Sequence, residues 1–273
     1  MNKYLVCVDS DGCAMDTMTI KHVRCFGPCL VTVWKLEQWE QEILKRWNDI
    51  NLYTKKRGIN RFQGLSLMLG EVDAQYTKIP GIETLKEWVE TTPAFSEANL
   101  KKEIEANPNC EALNKALEWS QLVNRGIQEI PDEEKIAFSG VKEALQKIKE
   151  SADLAIVSSA NREAMEEEWQ RCGLMEYVDY SMAQDVGTKE ACIRSMIEKG
   201  YGPACILMVG DAPGDRRAAE GAGVWYYPIL AGKEEESWKR FRERILQEFV
   251  SGAYGKERQA EEIQAFEENL KEE

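Results

Sequence analysis

The apolar positions of this chain follow two different patterns. Between residues 17 and 132 they recur every three or four positions, and strand-like alternation is nearly absent. One such series is Leu36, Trp39, Ile43 and Trp47. From about residue 133 onward, helical segments alternate with short, continuously apolar runs, among them DLAIVSS, ACILMVGD and GVWYYPIL. The first pattern predicts several helices, and the second predicts a repeated strand–helix unit.

Continuously apolar strands are typical of a parallel sheet that helices cover on both faces, because neither face then meets water. The N-terminal run KYLVCVD has the same character but no partner nearby in sequence, so we expect it to join the later strands. The predicted fold is therefore α/β: a Rossmann-like, three-layer α/β/α parallel-sheet core formed by residues 1–16 and 133–273, including an acidic helical tail. Residues 17–132 are predicted to form an all-α domain inserted into this core.

Composition narrows the classes of function. The net charge of −13 argues against nucleic-acid binding, since a duplex binder needs a basic face. No run of about 18 apolar residues occurs and the N-terminus has no signal-peptide pattern, so we expect no membrane partner and a cytoplasmic location. The eight cysteines include no CxxC pair, and HVRCFGPC lacks the second ligand pair of a zinc site. The oligomeric state stays open.

Polar and charged residues stand where the predicted strands end. They are Asp9 and Asp11 after the first strand, Ser158 and Ser159 at the end of the second, Lys189 after the third, and Asp211 and Asp215 after the fourth. Ligands of parallel α/β sheets bind at the carboxyl ends of the strands, so we expect these side chains to share one edge of the sheet. Taken alone, Asp215 could instead cap a helix, and Lys189 could be a solvated lysine.

The same segments, in the same order, resemble the four motifs of the haloacid dehalogenase-like superfamily, whose members are mostly phosphatases. The segments are DSDGCAMD, AIVSSAN, DVGTKEA and MVGDAPGD. Cys13 departs from the pattern, since the family usually has Thr or Val there. Asp11 argues against dehalogenase chemistry, because the dehalogenating members lack this acid. The resemblance implies an enzyme that hydrolyses phosphomonoesters.

The resemblance also implies a catalytic role for each motif residue. Asp9 would be the nucleophile and form an aspartyl-phosphate, and Asp11 would act as general acid and then as general base. Ser158 would hydrogen-bond a phosphoryl oxygen, helped by the backbone N–H of Ser159. Lys189 would neutralise the transferring group and hold Asp9 in place.

A metal ion is part of the same expectation. A carboxylate that attacks an anionic phosphate ester is repelled unless a divalent cation screens the charges. Clustered carboxylates favour a hard ion such as Mg²⁺. Asp9 and Asp211 would be ligands, and Asp215 would act directly or through a water molecule. By family analogy the metal would also bind the backbone carbonyl of Asp11.

The inserted block has the position of the family's helical cap, which closes over the active site and selects the substrate. Its segment YTKKRGINRF is basic within an acidic chain, and Arg57 and Arg61 are candidate substrate-binding residues. A solvated basic stretch at a helix end is the structural alternative.

Two other functions use the same motifs. A phosphosugar mutase would form the same aspartyl-phosphate but return the phosphoryl group to its substrate. A regulatory or binding relative would keep the site without turnover. The expected ligand in each enzymatic case is a small phosphorylated metabolite, whose identity the sequence does not give.

Overall fold

The computed structural model of the chain describes residues 1–271, so the last two residues of the predicted core, 272–273, lie outside the described part. The described chain divides into two compact units. One is formed by Met1–Met18 together with the chain from Pro131 onward, and the other by Thr19–Ile130. The assignment of the first unit as catalytic core and of the second as cap stays a prediction.

A five-stranded parallel sheet forms the centre of the first unit. Its strands are β1 (Tyr4–Val8), β2 (Ala152–Val157), β3 (Tyr180–Met182), β4 (Ile206–Gly210) and β5 (Trp225–Pro228). Their spatial order is β3-β2-β1-β4-β5. The N-terminal strand joins the later strands, as predicted, and it lies in the middle of the sheet. Val6 of β1 pairs with Leu154 of β2 on one side and Leu207 of β4 on the other.

The second unit is all helix. Its helices are α1 (Met18–Lys21), α2 (Gly27–Trp34), α3 (Glu40–Asn48), α4 (Arg61–Gln75), α5 (Ile82–Thr91), α6 (Glu97–Ala106) and α7 (Glu111–Glu129), with π-helical segments at His22–Phe26 and Asp49–Tyr53. A core that includes the fully buried Trp47 and Trp119 holds them together.

Helices cover both faces of the sheet. They are α8 (Val141–Lys149), α9 (Arg162–Arg171), α10 (Lys189–Glu198), α11 (Pro213–Ala222), α12 (Glu234–Arg240), α13 (Leu246–Ser251) and α14 (Lys256–Asn269), with a π-helical segment at Phe241–Ile245. Side chains of β1 alternate between two cores: Val6 packs with Leu145 of α8, whereas Leu5 packs on the side of Ile193 of α10. The predicted α/β fold with an all-α insertion is confirmed.

Nowhere in residues 1–271 does a helix combine the length and apolar character needed to cross a bilayer. All eight cysteines are free thiols, and none forms a disulfide.

Candidate active site

The loop after β1 is held by its own main chain. The backbone N–H of Asp9 donates to the carbonyl of Val209 at 3.0 Å and so extends the sheet by one residue. The carbonyl of Ser10 then accepts from the N–H groups of Cys13, Ala14 and Met15 at 2.8–3.2 Å. Gly12 takes φ = 82°, a left-handed conformation that glycine adopts without strain. The loop turns sharply back, and it leaves Asp9 at the carboxyl end of the central strand.

Asp211 and Asp215 are placed by the end of β4 and the start of α11. Asp211 directly follows Gly210, the last residue of β4, and Asp215 lies in the first turn of the helix. The Asp215 carboxylate accepts from the backbone N–H of Ala212 at 3.0 Å, so it does serve the helix start, as the structural alternative expected. Its other oxygen faces Lys189. Asp215 therefore combines a capping contact with a place in the cluster.

Three carboxylates and one ammonium group meet at this edge of the sheet. Ligand oxygens of Asp9, Asp211 and Asp215 lie within 4.8 Å of one another, and the three residues are 5%, 1% and 0% exposed. The Nζ of Lys189 lies 2.8 Å from Asp9 Oδ1 and 2.5 Å from Asp215 Oδ1. Lys189 is the first residue of α10, whose N-cap Thr188 accepts from the N–H of Ala191.

Burial and charge act against each other in this cluster. Burial raises the pKa of Asp9 well above its usual value, and the charges of Asp215 and Asp211 raise it further, while Lys189 lowers it. Burial alone would lower the pKa of Lys189, yet the neighbouring charges of Asp215 and Asp9 outweigh burial and leave it raised. Lys189 is thus firmly cationic.

Asp11 and Ser158 occupy separate positions at the same edge. Asp11 is not one of the three clustered carboxylates, and its Oδ1 accepts a hydrogen bond from the hydroxyl of Thr17. Ser158 is buried at the end of β2, where its hydroxyl accepts from the N–H of Ala160 at 3.1 Å. A hydroxyl can accept in this way and still donate its own proton. Ser159 is exposed.

The two candidate arginines make contacts within the helical unit. Arg57 is 3% exposed and donates to the carbonyl of Leu52 at 2.7 Å, which stabilises the turn after the second π-helical segment. Arg61 donates to Asn124 Oδ1 at 2.7 Å and lies 5.0 Å from the ring centroid of Phe26. Neither contact supports a role in substrate binding, and that role stays a prediction for both residues.

A family model described as haloacid dehalogenase-like hydrolase matches residues 95–227, a span that includes Ser158, Lys189, Asp211 and Asp215. This match agrees with the cluster at the strand ends. Residues 95–227 are thus similar to the haloacid dehalogenase-like hydrolases, and the family description does not fix the bond that such an enzyme breaks. Among curated proteins, none matches the chain.

Solved structures show that the chain shares its fold with other proteins. A candidate phosphoglycolate phosphatase from Lactobacillus delbrueckii subsp. bulgaricus is 14% identical, with a TM-score of 0.54, and the alignment covers 92% of this chain and 99% of that one. A candidate β-phosphoglucomutase from Thermotoga maritima is 18% identical, with a TM-score of 0.51, and 88% and 99% are covered. These identities establish the fold alone.

The donor set of the candidate site fits a divalent cation. Three buried carboxylates share one ammonium group, so the cluster keeps an excess of negative charge when all three acids are ionised. An excess of buried charge is costly unless a cation compensates it. Carboxylate oxygens are the ligands that Mg²⁺ prefers, and Asp9, Asp211 and Asp215 are the residues that would hold it.

Sequence reasoning missed residues that support the site without carrying charge. The indole N–H of Trp169 on α9 donates to the Ser10 hydroxyl at 2.9 Å, and that of Trp238 on α12 donates to the Cys13 carbonyl at 2.9 Å. Both indoles therefore fix the loop that carries Asp9. Their spacing on amphipathic helices is typical of core positions, and no local pattern in the sequence indicates which carbonyl or hydroxyl a buried indole contacts.

Proposed function

We propose that this protein is a hydrolase of the haloacid dehalogenase-like family, a Mg²⁺-dependent phosphomonoesterase that acts on a small phosphorylated metabolite through an aspartyl-phosphate on Asp9. The observation that carries the proposal is the buried cluster in which Lys189 bridges Asp9 and Asp215 beside Asp211. A carboxylate at the end of a central strand, next to a fixed cation, is suited to attack on an anionic phosphoryl group. A cytoplasmic location is part of the proposal.

The first chemical step forms one bond and breaks another. An oxygen of Asp9 attacks phosphorus, and the ester bond from phosphorus to the leaving oxygen breaks. Asp11 donates a proton to the leaving oxygen. The product alcohol leaves, and the phosphoryl group stays on Asp9. Lys189 lies 2.8 Å from the Asp9 carboxylate and balances part of the negative charge that gathers there.

The second step releases phosphate. Asp11, now ionised, takes a proton from a water molecule, whose oxygen attacks phosphorus and displaces the Asp9 carboxylate as inorganic phosphate forms. The Thr17 hydroxyl donates to Asp11 Oδ1 and orients this carboxyl group for both proton transfers. Ser158, with the N–H of Ser159, would bind a phosphoryl oxygen. The bound Mg²⁺ would supply charge stabilisation for the transferring phosphoryl group.

The proposal is tested by phosphate release from a panel of sugar phosphates, nucleotides and phosphorylated amino acids in the presence of Mg²⁺. We expect turnover that EDTA abolishes and added Mg²⁺ restores, and we expect Asp9→Asn to lose at least about a thousandfold in kcat while remaining folded. Glu143→Gln removes one negative charge from an exposed position on α8 and serves as the control, with unchanged turnover.

Other outcomes would contradict the proposal in different ways. Turnover by Asp9→Asn would show that Asp9 is not the nucleophile. Turnover in EDTA would show that the reaction does not need a metal ion. An isomerised sugar phosphate without phosphate release would indicate the phosphosugar mutase instead. Mg²⁺ binding without turnover on the whole panel would indicate a regulatory relative.

A further inference from the structure

Tyr226 of β5 lies at the outer edge of the sheet, where the C-terminal helix α14 and Tyr254 just before it contact this residue. The backbone N–H of Tyr226 donates to Gln259 Oε1 at 2.8 Å, and the Tyr226 carbonyl accepts from the Tyr254 hydroxyl at 2.8 Å. The ring of Phe266 on α14 meets the Tyr226 ring edge-on, with centroids 6.1 Å apart. Both main-chain groups and the ring of Tyr226 are thus held by a segment that follows the family match, which ends at residue 227.

The hydroxyl of the same tyrosine points back to the candidate active site. Tyr226 is 1% exposed, and its hydroxyl donates to the carbonyl of Gly210 on the neighbouring strand β4 at 3.0 Å. Burial raises the pKa of Tyr226 well above its usual value, and the charges of Asp215 and Asp211 raise it further, as expected for a phenol close to both acids. The phenol therefore stays protonated and remains a donor.

Gly210 connects this hydrogen bond to the acids. Asp211 is the next residue along the chain, so the Gly210 carbonyl belongs to the peptide that carries Asp211. A Cβ added at Gly210 would lie 2.4 Å from the Cβ of Asp215, which means that the Gly210 backbone and the Asp215 side chain are in close contact. A shift of the Gly210 peptide would therefore move both acids relative to Asp9.

We propose that Tyr226 is a positioning residue for Asp211 and Asp215, and that helix α14 holds it in that role. The hydroxyl, together with the N–H of Ile229 at 2.9 Å, holds the Gly210 carbonyl at the end of β4. The contacts with Gln259 and Phe266 of α14, and with Tyr254 just before that helix, hold the tyrosine. The C-terminal tail then contributes to metal affinity although none of its residues is part of the acid cluster. This inference rests on the proposed function, because the acids are taken to bind Mg²⁺.

The neighbouring residue Tyr227 provides a matched control. It lies on the same strand and is equally buried, but its hydroxyl donates to the carbonyl of Ser237 at 2.8 Å, on the opposite face of the sheet. Tyr226→Phe and Tyr227→Phe each remove one buried hydroxyl that donates to a carbonyl, and Tyr227→Phe also removes the acceptor of the Arg240 Nε at 3.3 Å. We therefore expect a loss of thermal stability from Tyr227→Phe at least as large as that from Tyr226→Phe, and a change in Mg²⁺ binding from Tyr226→Phe alone.

The test is a calorimetric titration with MgCl₂ in the absence of substrate, followed by steady-state kinetics. We expect Tyr226→Phe to bind Mg²⁺ about three- to tenfold more weakly than the wild type, in keeping with the loss of one hydrogen bond. Tyr227→Phe should bind it as the wild type does. In turnover, Tyr226→Phe should need more Mg²⁺ for half-maximal rate while KM for the phosphate ester at saturating Mg²⁺ stays the same.

The tail is tested separately with a pair of glutamine variants on α14. Gln259→Ala removes the acceptor of the Tyr226 N–H, whereas Gln264→Ala removes an exposed side chain that donates to Glu268 on the same helix. We expect weaker Mg²⁺ binding for Gln259→Ala and no change for Gln264→Ala.

The outcomes separate this inference from the proposed function. If the wild type binds Mg²⁺ and Tyr226→Phe binds it as tightly as Tyr227→Phe, the positioning role is overturned and the phosphatase proposal stands. If the wild type does not bind Mg²⁺ at all, the proposed function fails and the inference fails with it.

Discussion

At Gly210 the lack of a side chain is a steric requirement of the candidate site. A Cβ there would come within 2.4 Å of Asp215 Cβ and 2.5 Å of its Oδ2, distances that real structures do not tolerate. Gly210 has no left-handed backbone, so the requirement comes from close approach and not from backbone conformation. The glycine allows a helix-borne acid to lie directly against the end of β4.

We therefore predict that Gly210→Ala displaces Asp215 and separates it from Lys189. The expected result is a loss of at least tenfold in turnover and a weaker dependence of thermal stability on Mg²⁺. Gly214→Ala is the matched control, because its added Cβ would meet only the tip of Arg217 at 3.9 Å. Equal kinetics for the two variants would show that the contact with Asp215 is unimportant.

The charged residues of the site could be found from sequence, but their supports could not. Asp9, Asp211 and Lys189 stand at strand ends or helix starts, and parallel topology brings such positions to one edge of a sheet. Trp169, Trp238 and Tyr226 act through single hydrogen bonds across the core, which depend on side-chain packing between segments more than 15 residues apart. Sequence periodicity places such residues in the core without naming their partners.

At the scale of elements, the start of α10 carries the cation of the cluster. Thr188 accepts from the N–H of Ala191 at 3.2 Å and so caps the helix whose first residue is Lys189. The cap fixes the backbone of the first turn. The Lys189 side chain therefore loses less conformational entropy when it contacts both Asp9 and Asp215.

We predict that Thr188→Ala lowers the free energy of unfolding by about 1 kcal/mol and also lowers kcat, while Thr188→Ser retains both. Ser96 is the N-cap of α6 in the helical unit and accepts from the N–H of Asn99, also at 3.2 Å. Ser96→Ala should cost a similar free energy without any change in kcat. Chemical denaturation and steady-state kinetics check both statements, and a fall in kcat for Ser96→Ala would contradict them.

The elements were predicted unevenly, for a physical reason. Continuously apolar runs predicted β1, β2, β4 and β5, whose residues are nearly all buried. β3 is a three-residue edge strand in which only Met182 is buried, and no continuously apolar run marks it. The π-helical segments at His22–Phe26, Asp49–Tyr53 and Phe241–Ile245 were not expected, because one extra residue per turn is accommodated by local packing and leaves the apolar spacing nearly unchanged.

At the scale of the whole molecule, a buried acid connects the N-terminus to the sheet. Asp153 of β2 accepts from the backbone and side-chain N–H groups of Asn2 at 2.7 and 2.8 Å and from the Tyr201 hydroxyl. Burial alone would raise the pKa of Asp153, but these donors outweigh burial and hold it below its usual value. The ionised form is therefore favoured by folding.

A lowered pKa in the folded state contributes stability above the unfolded pKa of about 3.9, and that contribution is lost as the pH falls through the folded pKa. We predict that the wild-type free energy of unfolding decreases below about pH 4 and that Asp153→Asn shows a shallower decrease. Tyr201→Phe removes one donor and should give an intermediate slope. Denaturation curves across this range check the prediction, and an unchanged slope in Asp153→Asn would contradict it.

The central claim is that Asp9 carries the phosphoryl group during turnover, and trapping that intermediate tests it most directly. The protein is mixed with Mg²⁺ and a substrate found in the panel, quenched in acid, digested and analysed by mass spectrometry. Because Asp11 acts in both steps, the Asp11→Asn variant is mixed with an aryl phosphate, whose leaving group needs no proton. The first step then still proceeds and the second is slowed, so the peptide containing Asp9 should accumulate with the added mass of one phosphoryl group, whereas Asp9→Asn should not show it. Turnover without any phosphorylated Asp9 peptide in either the wild type or Asp11→Asn would contradict the account.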